Sequence, residues 1–186
     1  MSENTAVQVR AIEERDRARV NALFHESIHD VGRSAVGPLS FYQEVRWPLH
    51  TYVAVDGRGR IVGALHGQVL PAHFQMLSQR YGERAENYLR RRVRHITHLA
   101  VDHTCRGQGT GSRLMVTALD KMRVDGVRHV AGFLQNSDAQ ALRFYRRHGF
   151  EMTPEVPPFA PQYPAEFWIE RQGEWFYQRL APTSSV

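Results

Sequence analysis

The sequence predicts an α/β fold in which a mixed sheet carries helices on its faces. Three observations predict it: β-rich runs alternate with helical stripes of apolar residues, glycine-containing turns separate them, and no internal repeat breaks the order. The 186 residues suit one domain of ordinary size with its own core. We therefore expect residues 1–186 to form a single domain.

The amino-terminal part predicts a strand, a helix and a hairpin. Residues 7–12 alternate as a strand does, and 13–28 follow with the spacing of an amphipathic helix. The apolar positions of that helix are Val20, Leu23, Phe24 and Ile28. The β-rich runs 51–55 and 61–70 are joined by an Asp-Gly turn with a second glycine, which predicts a hairpin.

A polar, helix-like stretch, 71–92, separates this hairpin from the next predicted strand, 95–101. We expect it to be a helical insertion between the third and fourth strands. Its end carries the densest basic cluster of the chain, at positions 90, 91, 92 and 94. A run of charge beside a strand usually forms a solvated face, and this interpretation is favoured here.

The carboxyl-terminal part continues the alternation of helices and strands. A polar loop, 102–108, leads into a helical stripe that stops near Gly126. Residues 127–134 predict a strand, 138–147 a helix closed by Gly149, and 175–180 a last strand. The apolar stripe of the helix that stops near Gly126 consists of Leu114, Met115, Ala118, Leu119 and Met122.

Composition narrows the function classes. The net charge is +5 with a pI near 9.8, but the basic residues are scattered and Lys121 is the only lysine, which disfavours a nucleic-acid partner. No apolar run could span a bilayer, residues 1–10 lack a secretion signal, and the lone Cys105 can form no internal disulfide. We expect a cytoplasmic protein with no membrane or nucleic-acid partner.

The most informative segment, 99–111, predicts a strand, a loop and the start of a helix. The N–H groups at a helix start lack intrahelical partners and lie at the positive end of its dipole, which suits a pyrophosphate. Gly107, Gly109 and Gly111 let backbone amides approach such an anion, and Arg106 adds a permanent charge. The segment is therefore a candidate site for a phosphate-bearing ligand.

Two other phosphate-binding motifs do not fit this loop. A nucleotide-binding P-loop needs Gly-Lys-Ser or Gly-Lys-Thr, which the chain lacks. The dinucleotide fingerprint needs its third glycine one position later, in a unit that normally opens the domain.

The loop instead resembles the signature of the GNAT acetyltransferases, which binds the pyrophosphate of coenzyme A. Arg106, Gly109 and Gly111 match that signature, and Leu99-Ala100-Val101 is similar to the family's fourth strand. Downstream, 141–150 contains Tyr145 and ends in Gly149-Phe150, which resembles the family's second conserved stretch. The two motifs come in the family's order, and the resemblance covers residues 6 to 150.

The resemblance implies a mostly antiparallel, twisted sheet of about six to seven strands flanked by helices. It also implies acetyl-CoA as acyl donor, held by the fourth strand, the loop and the helix start. The residues implied are Leu99, Ala100, Val101, Arg106, Gly107, Gln108, Gly109, Thr110, Gly111 and Ser112. The family usually has Asn seven residues before the tyrosine, where this chain has Asp138, and Asn136 lies two residues earlier, so either could contact the cofactor.

Transfer to an amine requires a base, an oxyanion donor and an acid. The resemblance implies Tyr145 as the acid and the N–H near Val101 as the oxyanion donor. His95 is the candidate base, since it shares one strand face with Thr97, Leu99 and Val101. His98, on the other face, and His66 are alternatives. The histidines lack the spacing of a metal-binding motif, so no metal is predicted.

The sequence thus predicts an acetyl-CoA-dependent N-acetyltransferase that acts on a primary amine by direct attack in a ternary complex. The alternative is a catalytically silent GNAT domain that binds acyl-CoA as a sensor or partner module. The acceptor, a small molecule or a peptide amine, is not fixed by fold or cofactor site. Its pocket is expected from 32–47, 71–92 and 154–167, and the sequence leaves a homodimer open.

Overall fold

In the computed structural model of the chain, the described residues are 7–28, 36–44, 48–69, 82–135, 139–153 and 173–181. The strands are β1 (Gln8–Ala11), β2 (His50–Val55), β3 (Ile61–Gln68), β4 (Val93–Val101), β5 (His129–Gln135), β6 (Glu151–Thr153) and β7 (Gly173–Arg179). The helices are α1 (Arg17–Ser27), α2 (Leu39–Glu44), α3 (Glu83–Arg92), α4 (Thr110–Val124) and α5 (Ala139–Arg147).

The seven strands form one mixed sheet in the order β1-β2-β3-β4-β5-β7-β6. β4 and β5 run parallel, whereas β1–β2, β2–β3, β5–β7 and β6–β7 are antiparallel. The predicted fold class, a mostly antiparallel sheet flanked by helices, is therefore confirmed. The predicted insertion is confirmed as far as α3; residues 70–81 lie outside the described ones.

The strand β4 begins two residues earlier than predicted because α3 passes directly into it. α3 ends at Arg92 and β4 begins at Val93. Arg94 is consequently a strand residue and only 1% exposed, so its assignment to a solvated face is wrong. Its Nη1 donates hydrogen bonds to the carbonyls of Arg90 and Val93 at 2.7 and 2.6 Å, and burial lowers its pKa to about 10.

The contacts divide the chain into two compact units. The first contains the described residues up to Gln68 and His98–Lys121, and the second contains Val69–Thr97 and the described residues from Met122 onwards. The expectation of a single domain stays a prediction.

In the first unit, the apolar stripe of α1 packs against the sheet. Val20, Leu23 and Phe24 are 0–1% exposed and share a core cluster with Val53 and Ala100. The other described members of that cluster are Val36 and Ala64. The period-3.6 stripe predicted from the sequence is thus the buried face of this helix.

The helix α4 approaches the sheet of the first unit most closely at Gly63. A Cβ there would lie 3.0 Å from Leu114 Cδ1, 3.2 Å from Thr110 Cγ2 and 3.3 Å from the Ala100 carbonyl. A glycine in a strand often marks such a close approach. It sets the first turn of α4 beside the end of β4.

The second unit packs α5 on the sheet of β5, β6 and β7. β5 and β7 pair over their full length, from His129↔Arg179 to Gln135↔Gly173. β6 adds three residues to the other edge of β7, where Met152 pairs with Phe176. Neither β6 nor α2 was predicted, because three-residue and six-residue elements carry too little periodicity to be recognised.

Candidate active site

The loop after β4 takes its shape from Asp102. The Asp102 N–H donates to the Val62 carbonyl at 2.9 Å, and Asp102 Oδ1 accepts bonds from the Thr104 N–H and hydroxyl at 2.9 and 2.7 Å. These bonds from Thr104 hold the pKa of the Asp102 carboxyl below its ordinary value. Sequence reasoning gave Asp102 no role, although an Asp that bonds two residues ahead is a common turn signal.

Two side chains tie the loop back to the preceding strand and turn. Arg106 Nε donates to the Val101 carbonyl at 3.0 Å, and Gln108 Nε2 donates to the Thr104 carbonyl at 3.2 Å. Arg106 is exposed as a residue, so its charge is available at the mouth of the loop. The predicted cation is therefore anchored on the last residue of β4.

Two of the three predicted glycines adopt a left-handed backbone conformation, whereas Gly111 lies in α4 and does not. Gly107 and Gly109 have φ of 75° and 80°, and both face open space where a Cβ would stand. The first helical hydrogen bond of α4 runs from the Arg113 N–H to the Gly109 carbonyl at 3.0 Å. The backbone N–H groups before Arg113 therefore come ahead of the hydrogen bonds within the helix. Open space beside such amides fits a pyrophosphate.

Burial distinguishes the remaining predicted cofactor residues. Leu99 and Val101 are half-buried, whereas Ala100 is 4% exposed and packs in the α1 core cluster. Thr110 is 2% exposed, and its Oγ1 has no hydrogen-bond partner. A buried hydroxyl without a hydrogen-bond partner is unusual in a protein interior, so the Thr110 hydroxyl is an available polar group in the first turn of α4.

The first turn of α4 completes the predicted set. Gly111 and Ser112 are half-buried in that turn. Asn136 and Asp138 lie outside the described residues, so neither of these two predicted contacts is described.

The ladder between β4 and β5 is short. It joins Val93, Arg94 and His95 to His129, Val130 and Ala131, and no further pair is formed between described residues of these strands. Both strands nevertheless continue, to Val101 and Gln135. The ladder with β5 therefore covers only the first third of β4.

Tyr145 lies on α5 in the second unit and is 6% exposed. Its ring stacks on Phe176 with centroids 3.8 Å apart and an interplanar angle of 15°. Burial raises the pKa of its phenol, so the group stays protonated well above neutral pH. No described residue forms a hydrogen bond with the Tyr145 hydroxyl, although buried tyrosines usually find such a partner.

His95 lies on β4 in the second unit and is 5% exposed. Its ring meets Trp175 edge-on, with centroids 6.2 Å apart. Trp175 and Phe176 are successive residues of β7, so they point to opposite faces of the sheet. His95 and Tyr145 therefore contact opposite faces of β7.

The alternative histidines, the buried His66 and the half-buried His98, lie side by side in the first unit. His66 Nδ1 lies 2.6 Å from Thr51 Oγ1, and the rings of His66 and His98 stack with centroids 6.1 Å apart. Burial, reinforced by His25, lowers the pKa of His98 to about 4. Burial, reinforced by His98, lowers the pKa of His66 to about 3. Both rings are neutral at pH 7.

Two further features concern the part of the chain that the structure describes. No group of three or more His, Cys, Asp or Glu side chains is placed to hold a metal ion there. None of the helices in those segments has the length and apolar character needed to cross a membrane.

The chain is similar to known acetyltransferase structures over almost its whole length. The Ard1 structure from Thermoplasma volcanium is 21% identical with a TM-score of 0.63, and the match covers 95% of this chain and 99% of that one. The GNAT family N-acetyltransferase YhbS from Escherichia coli, solved with CoA, is 20% identical with a TM-score of 0.64, covering 97% and 85%. A GNAT acetyltransferase from Staphylococcus aureus Mu50 is 12% identical with a TM-score of 0.65, covering 95% and 100%.

These structural similarities, all at low identity, show a shared fold. No protein of curated function matches the sequence. The model of the acetyltransferase (GNAT) family matches residues 17–150, which is most of the chain and includes both predicted motifs. The chain therefore belongs to the GNAT family of acetyltransferases, which indicates acetyl transfer from an acyl-CoA donor.

Proposed function

We propose that the chain is an acetyl-CoA-dependent N-acetyltransferase that acetylates a primary amine by direct attack within a ternary complex. The observation that carries the proposal is the loop before α4. Its two left-handed glycines, Gly107 and Gly109, face open space beside the first-turn amides. The Arg106 charge lies at the same place. This arrangement suits a pyrophosphate.

The donor would lie along the end of β4. Backbone groups of Leu99 and Val101 would pair with its pantetheine arm, and Gly107–Ser112 would hold its pyrophosphate. Acetyl-CoA supplies an acyl group activated as a thioester. A backbone N–H near Val101 would stabilise the negative charge that develops on the carbonyl oxygen, because a fixed amide dipole needs no reorganisation.

Tyr145 is proposed as the acid that protonates the leaving thiolate. Its raised phenol pKa keeps the proton in place until the C–S bond breaks. Its hydroxyl has no hydrogen-bond partner among the described residues, so an incoming sulfur would be its acceptor. A packing tyrosine would normally bond its hydroxyl within the protein.

His95 is proposed as the base that takes the proton from the amine. The amine would add to the carbonyl carbon of the thioester, His95 would take the proton that the amine then carries, and the C–S bond would break as Tyr145 protonates the sulfur. His98 and His66 are the alternatives. Their depressed pKa values, about 4 and about 3, keep them neutral at pH 7 but make them weak bases.

A catalytically silent acyl-CoA-binding domain is the competing function, and two measurements separate it from the enzyme. Calorimetry measures the affinity for acetyl-CoA, and a thiol-release assay measures transfer to a panel of amines, amino acids, antibiotics and peptides. We expect binding together with thiol release for at least one amine. Binding without any amine-dependent thiol release supports the silent domain, and absence of binding contradicts both functions.

A further inference from the structure

Tyr145 belongs to a compact aromatic cluster with Phe150 and Phe176. Tyr145 and Phe176 stack face to face at 3.8 Å, while Phe150 stands edge-on to Tyr145 at 5.6 Å and 86° and to Phe176 at 5.3 Å and 83°. The three residues are 6%, 3% and 1% exposed. Phe176 is therefore the only described ring that lies flat on Tyr145, and Phe150 closes the side of the stack.

The plane of the Phe176 ring is fixed by a glycine beneath it. Gly132 pairs with Phe176 across β5 and β7, and a Cβ on Gly132 would lie 2.0 Å from Phe176 Cζ. No side chain fits in that space, so the ring of Phe176 lies directly over the backbone of β5. A glycine inside a strand where the chain passes under a ring is such a close-approach position.

The Tyr145 hydroxyl has no hydrogen bond to a described residue that could fix its direction. Its direction therefore depends on the plane of its own ring, which the stack on Phe176 sets. We propose that Phe176, lying over Gly132, is a positioning residue that aims the Tyr145 hydroxyl at the leaving thiolate. This inference rests on the proposed function, in which Tyr145 is the acid.

The first test compares Phe176→Leu with Phe150→Leu. Both remove one phenyl ring of similar burial from the same cluster, but only Phe176→Leu removes the flat surface beneath Tyr145. We expect kcat for amine-dependent thiol release from acetyl-CoA to fall about 10- to 100-fold in Phe176→Leu and less than about 3-fold in Phe150→Leu, because misplacing a catalytic group is costly. The KM for acetyl-CoA should change little in either variant.

A double-mutant cycle separates positioning from general destabilisation. In a Tyr145→Phe background the hydroxyl is already absent, so Phe176→Leu should lower kcat no further. Equal losses in both backgrounds, or equal losses in Phe176→Leu and Phe150→Leu, would overturn the proposal. Should Phe176→Leu not fold, Phe176→Met fills the same space without a flat ring and carries the same expectation.

A measurement without turnover tests the geometry if no amine is accepted. In protein labelled with ¹³C at the tyrosine ring, the Tyr145 signal is identified by its loss in Tyr145→Phe. We expect the Tyr145 ring protons to be shifted upfield by the ring current of Phe176 in the wild type and to lose that shift in Phe176→Leu. Absence of the upfield shift in the wild type would refute the stack and with it the positioning role, whereas absence of thiol release with the shift intact would refute the proposed function, on which the positioning role rests.

Discussion

The two units contribute to the proposed reaction with different kinds of groups. In the first unit the proposed donor site is made of backbone: the amides at the start of α4, the carbonyl of Val101 and two glycines with φ of 75° and 80°. In the second unit the catalytic candidates are side chains held by aromatic rings, Tyr145 on Phe176 and His95 against Trp175. A backbone site is disrupted by adding atoms, and a side-chain site by removing them.

In the backbone site of the first unit, an added side chain should damage acetyl-CoA binding most at Gly109. Gly109→Asp places a side chain and a negative charge where the pyrophosphate is expected, so measurable binding of acetyl-CoA by calorimetry should be lost. Gly59→Asp is the matched control. Gly59 also has a left-handed φ, 78°, and open space around it, but lies in the turn between β2 and β3. Unchanged affinity in a folded Gly109→Asp variant would reduce the loop to a simple turn.

Among the side chains of the second unit, loss of a functional group should lower kcat most at Tyr145. Tyr145→Phe keeps the ring and its stack on Phe176, so fold and binding should survive while the proton donor is lost. We expect kcat to fall by about 10² to 10⁴ with a nearly constant KM for acetyl-CoA. An acyl donor with a more acidic thiol should recover much of the rate. Full activity of Tyr145→Phe with acetyl-CoA would make Tyr145 a packing residue.

The sequence predicted the backbone conformation of the loop before α4 better than the ring environment of the second unit. Glycines at 107 and 109 indicate left-handed backbone without any knowledge of partners, and both adopt it. The loop-shaping bonds of Asp102 were also readable in principle, since they span two residues. A turn conformation depends on residues that are close together in the sequence, so it can be predicted from those residues alone.

The ring environment of the second unit could not be predicted in the same way. Phe176 lies thirty-one positions after Tyr145, and the residue beneath it, Gly132, comes from a third element. Which residues meet depends on strand register, which a single sequence does not specify. The isolated glycine inside strand 127–134 was the one available signal of a close approach.

Substitution of the proposed base, His95, should have a smaller effect on kcat, and it tests which of the two units supplies the base. His95→Ala should lower kcat by about 10²-fold near neutral pH, and the loss should shrink as rising pH deprotonates the amine without help. The measurement is the pH profile of kcat. His98→Ala, on the same strand but in the first unit, is the comparison. Should His98→Ala show the pH-dependent loss and His95→Ala not, the base belongs to the first unit.

The smallest expected effect concerns the pair of His66 and His98 in the first unit. The folded-state pKa values of His66 and His98 are about 3 and about 4, while an unfolded chain binds a proton on histidine near 6.5. Below about pH 6.5 the unfolded state therefore binds more protons than the folded state, and the free energy of unfolding falls as the pH drops towards those values. Above that pH the pair adds no pH dependence.

We expect the Tm to be roughly 10 °C lower at pH 5 than at pH 7, and His98→Leu to make that slope shallower. The leucine removes one group that the folded state must keep neutral and retains an apolar contact for Phe24, whose ring lies 5.0 Å from His98. His103→Leu is the control, because the His103 side chain is 84% exposed and its substitution should leave the slope unchanged. Equal slopes in all three proteins would mean that His98 binds its proton as readily in the folded state as in the unfolded one, and that its environment in the first unit does not keep it neutral.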